Sequence, residues 1–381
     1  MTVLHRFRKL VFWLHLIAGC AAGIVILLMA LTGTVLMYER QILEWVDGYQ
    51  IAQADGDAKR LPLEELVGKV NETSPKQPVT AVTVEADPAQ SVALSLGRDG
   101  VKFIHPYTGE ILGDGAPKTR DFFHFVTELH RWLALSGEQR DVGKAVTGAA
   151  CLVFLFLVLS GLYLWFPRRL TWHFIKRIVA FDRRLTGRAR DWNWHNVFGF
   201  WACLPLLFII LTGLVMAYPW ANNLLFTLTG NPVPPPRAPG GGGGGRGATA
   251  PAPVPIAGLD KAFALAKEKV PAWQSITLRL PAAAKAPAMI FISESHQGRP
   301  DLKSQLNVNL ATGEIATWET FDSYNLGKKL RFWSRWVHTG EAGGIVGQTV
   351  AGLSAIAAAI LVWTGFAMSW QRFKRRKKGN H

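Results

Sequence analysis

The chain has 381 residues, 49% of them apolar, and 42 lysines and arginines against 27 acidic residues give a net charge of +15 at pH 7. This excludes a disordered chain and leaves material for several segments or domains. The three cysteines, Cys20, Cys151 and Cys203, all fall in apolar runs and read as small buried hydrophobes, so the polar segments have no disulfide framework.

In chain order, four runs reach the ~20 apolar residues that crossing a hydrocarbon core requires: roughly 10–37, 142–166, 197–218 and 345–370. Ile17-Ala18-Gly19-Cys20 mimics a lipoprotein cleavage box, but the apolar run continues past Cys20, where a cleaved lipoprotein turns polar. Basic residues gather at one side of the spans. Arg6, Arg8 and Lys9 precede the first, Arg168 to Arg190 link the second and third, and Arg372 to Lys378 follow the fourth. The positive-inside rule puts both termini and this loop in the cytoplasm. The charge thus follows from topology, with membrane lipid as its partner and no nucleic acid implied.

The chain divides into a first span (1–38), an exterior domain (39–120), a lead-in with the second span (121–167) and a basic loop (168–191). A third span (192–219), a second exterior domain (220–330), a lead-in with the fourth span (331–370) and a basic tail (371–381) complete it. In the first exterior domain a helix over 62–73 buries Leu63, Leu66, Val67 and Val70 on one face, and strands follow at 79–85, 91–96 and 101–105. The second has its helix at 259–269 and strands at 275–280, 288–293 and 305–309. Its Pro/Gly-rich stretch 231–255 cannot bury a core and reads as a disordered linker. The glycine tract neither follows a strand nor opens a helix, so it is no dinucleotide fingerprint. The predicted class is membrane α+β: four transmembrane helices built as a parallel duplication, with two small α+β domains on the far side.

The duplication is visible at two shifts. A shift of 180 sets His15 on His195, Gly19 on Gly199 and Thr32-Gly33 on Thr212-Gly213. A shift of 204 sets Arg131-Trp132 on Arg335-Trp336 and Gly161 on Gly365. Ionisable groups inside a span are costly, and two at matching repeat positions read as axial ligands of a metal cofactor, haem above all. The plain alternative is a pair of interfacial histidines with satisfied ring nitrogens. With no Cys-x-x-Cys-His, covalent c-type attachment is excluded. On the far side, His130 and His338 stand just before their spans but differ by four positions in the repeat. They form a second candidate pair, with single ligation or help from His124 as alternatives. Arg131 and Arg335 are candidates for haem propionates or for lipid headgroups. The Thr-Gly and Ser-Gly pairs at 32–33, 160–161, 212–213 and 364–365 read as helix-packing positions, with a place beside the opposite haem as the lesser reading.

Leu129-His130-Arg131-Trp132, His338-Thr339-Gly340-Glu341 and Thr364-Gly365 resemble the helix signatures of the PepSY-associated transmembrane family. Pro106-Tyr107-Thr108-Gly109-Glu110 resembles the PepSY hairpin, and Thr312-Gly313-Glu314 a worn copy of it. The length and layout are similar to haem-containing ferric-siderophore reductases of the bacterial inner membrane. The resemblance implies two b-type haems, on His15/His195 and His130/His338, and an enzyme that reduces periplasmic ferric siderophore to release Fe2+. Its electrons would come from a quinol or a cytoplasmic reductase, since no segment binds a flavin or nicotinamide. The alternatives are a non-enzymatic PepSY module that binds or inhibits a protease, and a permease using the intramembrane histidines.

Overall fold

The computed structural model describes residues 3–49, 51, 59–97, 100–166, 171–235, 256–281, 286–295 and 298–378. Arg168, Arg169, His296, His381 and positions 236–255 of the expected linker lie outside the described residues. The chain divides into two compact units, one of residues 1–39, 122–228 and 330–381, the other of residues 40–121 and 229–329. The helices in chain order are α1 (Val3–Leu36), α2 (Glu39–Val46), α3 (Leu63–Thr73), α4 (Pro117–Trp132), α5 (Arg140–Trp165) and α6 (Trp172–Val179). They continue as α7 (Gly187–Ala217), α8 (Pro219–Leu228), α9 (Leu259–Lys269), α10 (Leu326–His338) and α11 (Gly344–Lys378).

In the first unit, α1, α5, α7 and α11 supply the four stretches long and apolar enough to cross a membrane. Each of α1 and α7 packs on both α5 and α11, which sets α1 and α7 across the bundle from one another. The seam is built from Ala30, Ala202, Leu206, Ile210, Ala357 and Ala358. Small side chains there let the backbones approach closely, which is where helix association in lipid finds its van der Waals contact. Two polar side chains tie neighbouring segments of the bundle: buried Gln348 donates to the carbonyl of Met37 at 2.6 Å, and Thr147 donates to that of Arg131 at 2.9 Å.

The second unit corrects the picture of two separate small sheets. Its strands are β1 (Ala81–Glu85), β2 (Val92–Ser95), β3 (Val101–Ile104), β4 (Ile111–Gly113), β5 (Ser275–Arg279), β6 (Ala288–Ser293), β7 (Lys303–Val308) and β8 (Ile315–Thr320). They form one antiparallel sheet in the order β4-β3-β2-β1-β5-β6-β7-β8. The central seam pairs Val82 with Leu278 and Thr83 with Thr277, whose hydroxyls are 3.0 Å apart. Alternation explains the join. Val82 and Val84 of β1 and Ile276 and Leu278 of β5 are fully buried on the helix side, so pairing the strands merges two half-cores beneath α3 and α9. The two helix starts are stapled crosswise. The Asp260 carboxylate accepts from the Leu63 and Glu64 amides at 2.7 and 3.2 Å, and Glu64 accepts from the Gly258 amide at 2.7 Å. Each carboxylate thus satisfies orphan donors at the positive end of a helix dipole.

Candidate functional site: two histidine pairs within one bundle

All four histidines expected as ligands lie in the first unit, and they meet in the expected pairs. The rings of His15 on α1 and His195 on α7 have centres 6.5 Å apart with planes at 82°. Those of His130 on α4 and His338 on α10 have centres 6.4 Å apart with planes at 64°. The four-position mismatch in the repeat is absorbed locally. Helix α4 runs two residues beyond His130 whereas α10 ends on His338, and the α4–α5 connection is two residues longer than the α10–α11 one. Leu133 and Ala134 make that longer turn in the left-handed region, with φ of +56° and +55°. His124 is exposed and joins neither pair.

Each histidine is held by a hydroxyl or carbonyl on a neighbouring span. Nδ1 of His15 lies 2.8 Å from Ser160 Oγ on α5, and Nδ1 of His195 lies 2.9 Å from Thr364 Oγ1 on α11. Nδ1 of His130 is 2.9 Å from Thr32 Oγ1 on α1. Nδ1 of His338 is 2.8 Å from the Ile209 carbonyl on α7, with Thr212 Oγ1 at 3.4 Å. The proton positions follow from the hydroxyls. Ser160 donates to Phe156 O at 2.6 Å, Thr364 to Ile360 O at 2.8 Å and Thr32 to Leu28 O at 2.7 Å, all within their own helices. A hydroxyl whose proton is so engaged can only accept from imidazole, and a carbonyl can only accept. All four rings therefore carry hydrogen on Nδ1 and present Nε2 as a lone-pair donor, the form that ligates metals. Among the described residues, no hydrogen bond engages any of the four Nε2 atoms.

The glycine after each of these residues clears the ring. A Cβ at Gly161 would lie 3.4 Å from His15 Cε1, and one at Gly365 3.7 Å from His195 Cε1. At Gly33 it would lie 3.2 Å from His130 Cε1, and at Gly213 3.1 Å from His338 Cε1. The Thr-Gly and Ser-Gly pairs are thus seats for imidazole rings as well as packing positions. The signal was present in the sequence. His15 lies in the first half of α1 and Ser160 in the last two turns of α5, so antiparallel packing brings them to one end.

Around His15 and His195 the bundle forms a cleft-like cavity of about 1040 Å³. Its walls include Gly19 and Gly199, one helical turn beyond each histidine, with Leu157, Leu361 and Phe366. Arg8, Lys9, Arg188 and Arg372 ring its mouth. Around the other pair, Arg131 and Arg140 both lie over the Trp132 ring, 4.5 and 3.6 Å from its centre, and Arg335 lies 5.2 Å from that of Trp336. Burial first, then the charges of Arg140 and Arg335, lower the Arg131 pKa. Burial, and after it the charge of His338, pushes His130 down to about 4, and burial lowers His338. Both rings are therefore neutral at physiological pH. Arg140 joins Arg131 and Arg335 here although no repeat marks it in the sequence, where Gly344 stands 204 positions on.

Of the remaining histidines, His105 accepts from the Tyr107 and Thr108 amides at 3.3 Å each and holds a turn. His5 lines the cavity mouth. A family model described as the PepSY-associated TM region matches residues 12–372. A search of curated proteins finds no match.

Proposed function

The chain belongs to the PepSY-associated transmembrane family, and we propose that within it this is a haem protein of the bacterial inner membrane that reduces ferric siderophores on the periplasmic side, releasing Fe2+. The observation that carries the reading is the spacing of the two imidazole pairs. Two iron–nitrogen bonds of about 2 Å, with about 1.1 Å more from each nitrogen to its ring centre, set coordinating rings about 6 Å apart. Centres at 6.5 and 6.4 Å with free Nε2 atoms fit that requirement. The cavity at the first pair fits a planar apolar group, because Gly19, Gly199, Gly161 and Gly365 keep side chains out of it. A duplicated ancestry is part of the proposal, supported by the four similar histidine seats and by a strand order that runs outward alike from β1 and β5.

His15 and His195 would hold one b-type haem and His130 and His338 the other, each supplying reversible one-electron chemistry at iron. Ser160, Thr364, Thr32 and the Ile209 carbonyl fix ring orientation and keep Nε2 unprotonated. Arg131, Arg335 and Arg140 offer guanidinium donors to carboxylates at the second pair. The basic ends face the cytoplasm, where a quinol or a cytoplasmic reductase supplies electrons, and the sheet lies on the periplasmic side. Reduction loosens the chelate because Fe2+ is a weaker partner for hard oxygen ligands.

The test is the visible spectrum of detergent-purified protein from haem-replete cells. A Soret band that shifts with dithionite, and weakens in His15→Ala and His195→Ala, is the expected result. A colourless protein overturns the reading. Oxidation of the pre-reduced protein by a ferric siderophore then tests the substrate.

A further inference from the structure

The cavity at His15 and His195 has two similar faces but unlike edges. Arg8 and Arg188 stand 180 positions apart, the same shift that relates the two histidines, and both line the mouth. Their donors have different uses. Helix α5 ends at Trp165 and leaves carbonyls open, and Arg8 donates to Leu164 O at 2.6 Å and to Phe166 O at 3.3 Å. The guanidinium is thereby committed to a helix C-terminus, where a cation is also favoured by the dipole. In the second half, the position matching Leu164 at the shift of 204 is Met368, which also lines the cavity. There α11 runs on to Lys378, so the Met368 carbonyl lies inside a continuing helix with no open acceptor for an arginine.

Arg188 therefore keeps its donors. Among the described residues it takes part in no hydrogen bond or ion pair. Its neighbour at the mouth, Arg372, has its guanidinium over Phe12 and Trp13, 5.1 and 4.9 Å from their ring centres, which anchors it to α1 and leaves it at most a second contact to the same ligand. Lys9 is the other mouth cation, but an ammonium is a point charge, whereas a guanidinium offers the paired donors that match a carboxylate.

We propose that Arg188 binds the anionic edge of a planar carboxylate-bearing ligand in this cavity, and that the loss of a helix end in the second half is what frees it to do so. The proposal rests on the haem reading, with the propionates as those carboxylates, and it orients the ligand. The acid groups lie toward Arg188, and the apolar edge lies toward the deep walls at Ile26 and Leu206.

The experiment measures retention of haem by purified full-length protein challenged with excess apomyoglobin, followed in the Soret band. Substituting Arg188→Gln speeds haem loss about tenfold, since one charged hydrogen-bonded contact is removed. Arg188→Lys gives an intermediate rate. Lys9→Gln and Arg8→Gln change the rate less, and Arg8→Gln instead lowers the temperature of unfolding. Equal rates for wild type and Arg188→Gln, both loaded and folded by circular dichroism, overturn the assignment while leaving the haem reading intact. So does an effect of Arg188→Gln that appears only in anionic-lipid nanodiscs, which makes it a lipid-headgroup contact. Absence of haem from the wild type overturns the underlying reading itself.

Discussion

The two histidine pairs differ by only 0.1 Å in ring separation, yet they are built with different tolerances. At His15 and His195 the seats come from four span helices, and the glycines leave 3.4 and 3.7 Å to the rings. At His130 and His338 the histidines arrive on the lead-in helices α4 and α10, and the clearances shrink to 3.2 and 3.1 Å. A Cβ at the first pair would make a close or ordinary contact, whereas at the second the ring must yield. The same ring spacing is thus reached once by a roomy cavity and once by close backbone approach.

The largest expected effect tests whether the pairs are independent. His195→Ala and His338→Ala should each remove about half of the haem measured as pyridine haemochrome, because each breaks one two-histidine site. Loss of all haem from either variant would end the separation of the two ends. Next comes the clearance itself. Gly33→Ala and Gly213→Ala should lose haem from their pair at least tenfold faster, whereas Gly365→Ala, whose Cβ would lie 3.7 Å from its ring, should speed the loss by less than that. Thermal loss of the Soret band reads both.

Smaller changes should follow at the hydroxyls. Thr364→Ala and Thr32→Ala remove the hydroxyl that accepts from the ring N–H and leave it only a main-chain contact, with Leu361 and Met29 respectively, a loss of about 1–3 kcal/mol. Titration of haem into depleted protein should show affinity falling 10- to 100-fold, a range typical for partners behind a metal ligand. Thr212→Ala should be the mildest, below about 1 kcal/mol, because the Ile209 carbonyl at 2.8 Å already holds His338. An effect of Thr212→Ala as large as that of Thr364→Ala would show that the hydroxyl, and not the carbonyl, positions that ring.

The spans, the helices α3 and α9 and the six inner strands are legible in the sequence, because apolar length and alternation mark them directly. The edge strands β4 and β8 escape it, since their residues are half-buried or exposed and show no alternation. The joining of β1 to β5 escapes it too, as nothing local specifies a partner 194 positions away. The four histidines were legible from their cost in lipid and their recurrence. Their seats were visible only as Thr-Gly and Ser-Gly motifs. Assigning each to a ring requires knowing which helices neighbour one another, and that is a property of the bundle.

The β1/β5 seam has a consequence for chain connectivity. Five registered residue pairs and two reciprocal helix caps join the halves without any covalent link. Fragments ending at residue 235 and starting at residue 256 should therefore reassemble when co-expressed, as in split-protein complementation. In such a pair the backbone break would fall between two segments that already recognise each other.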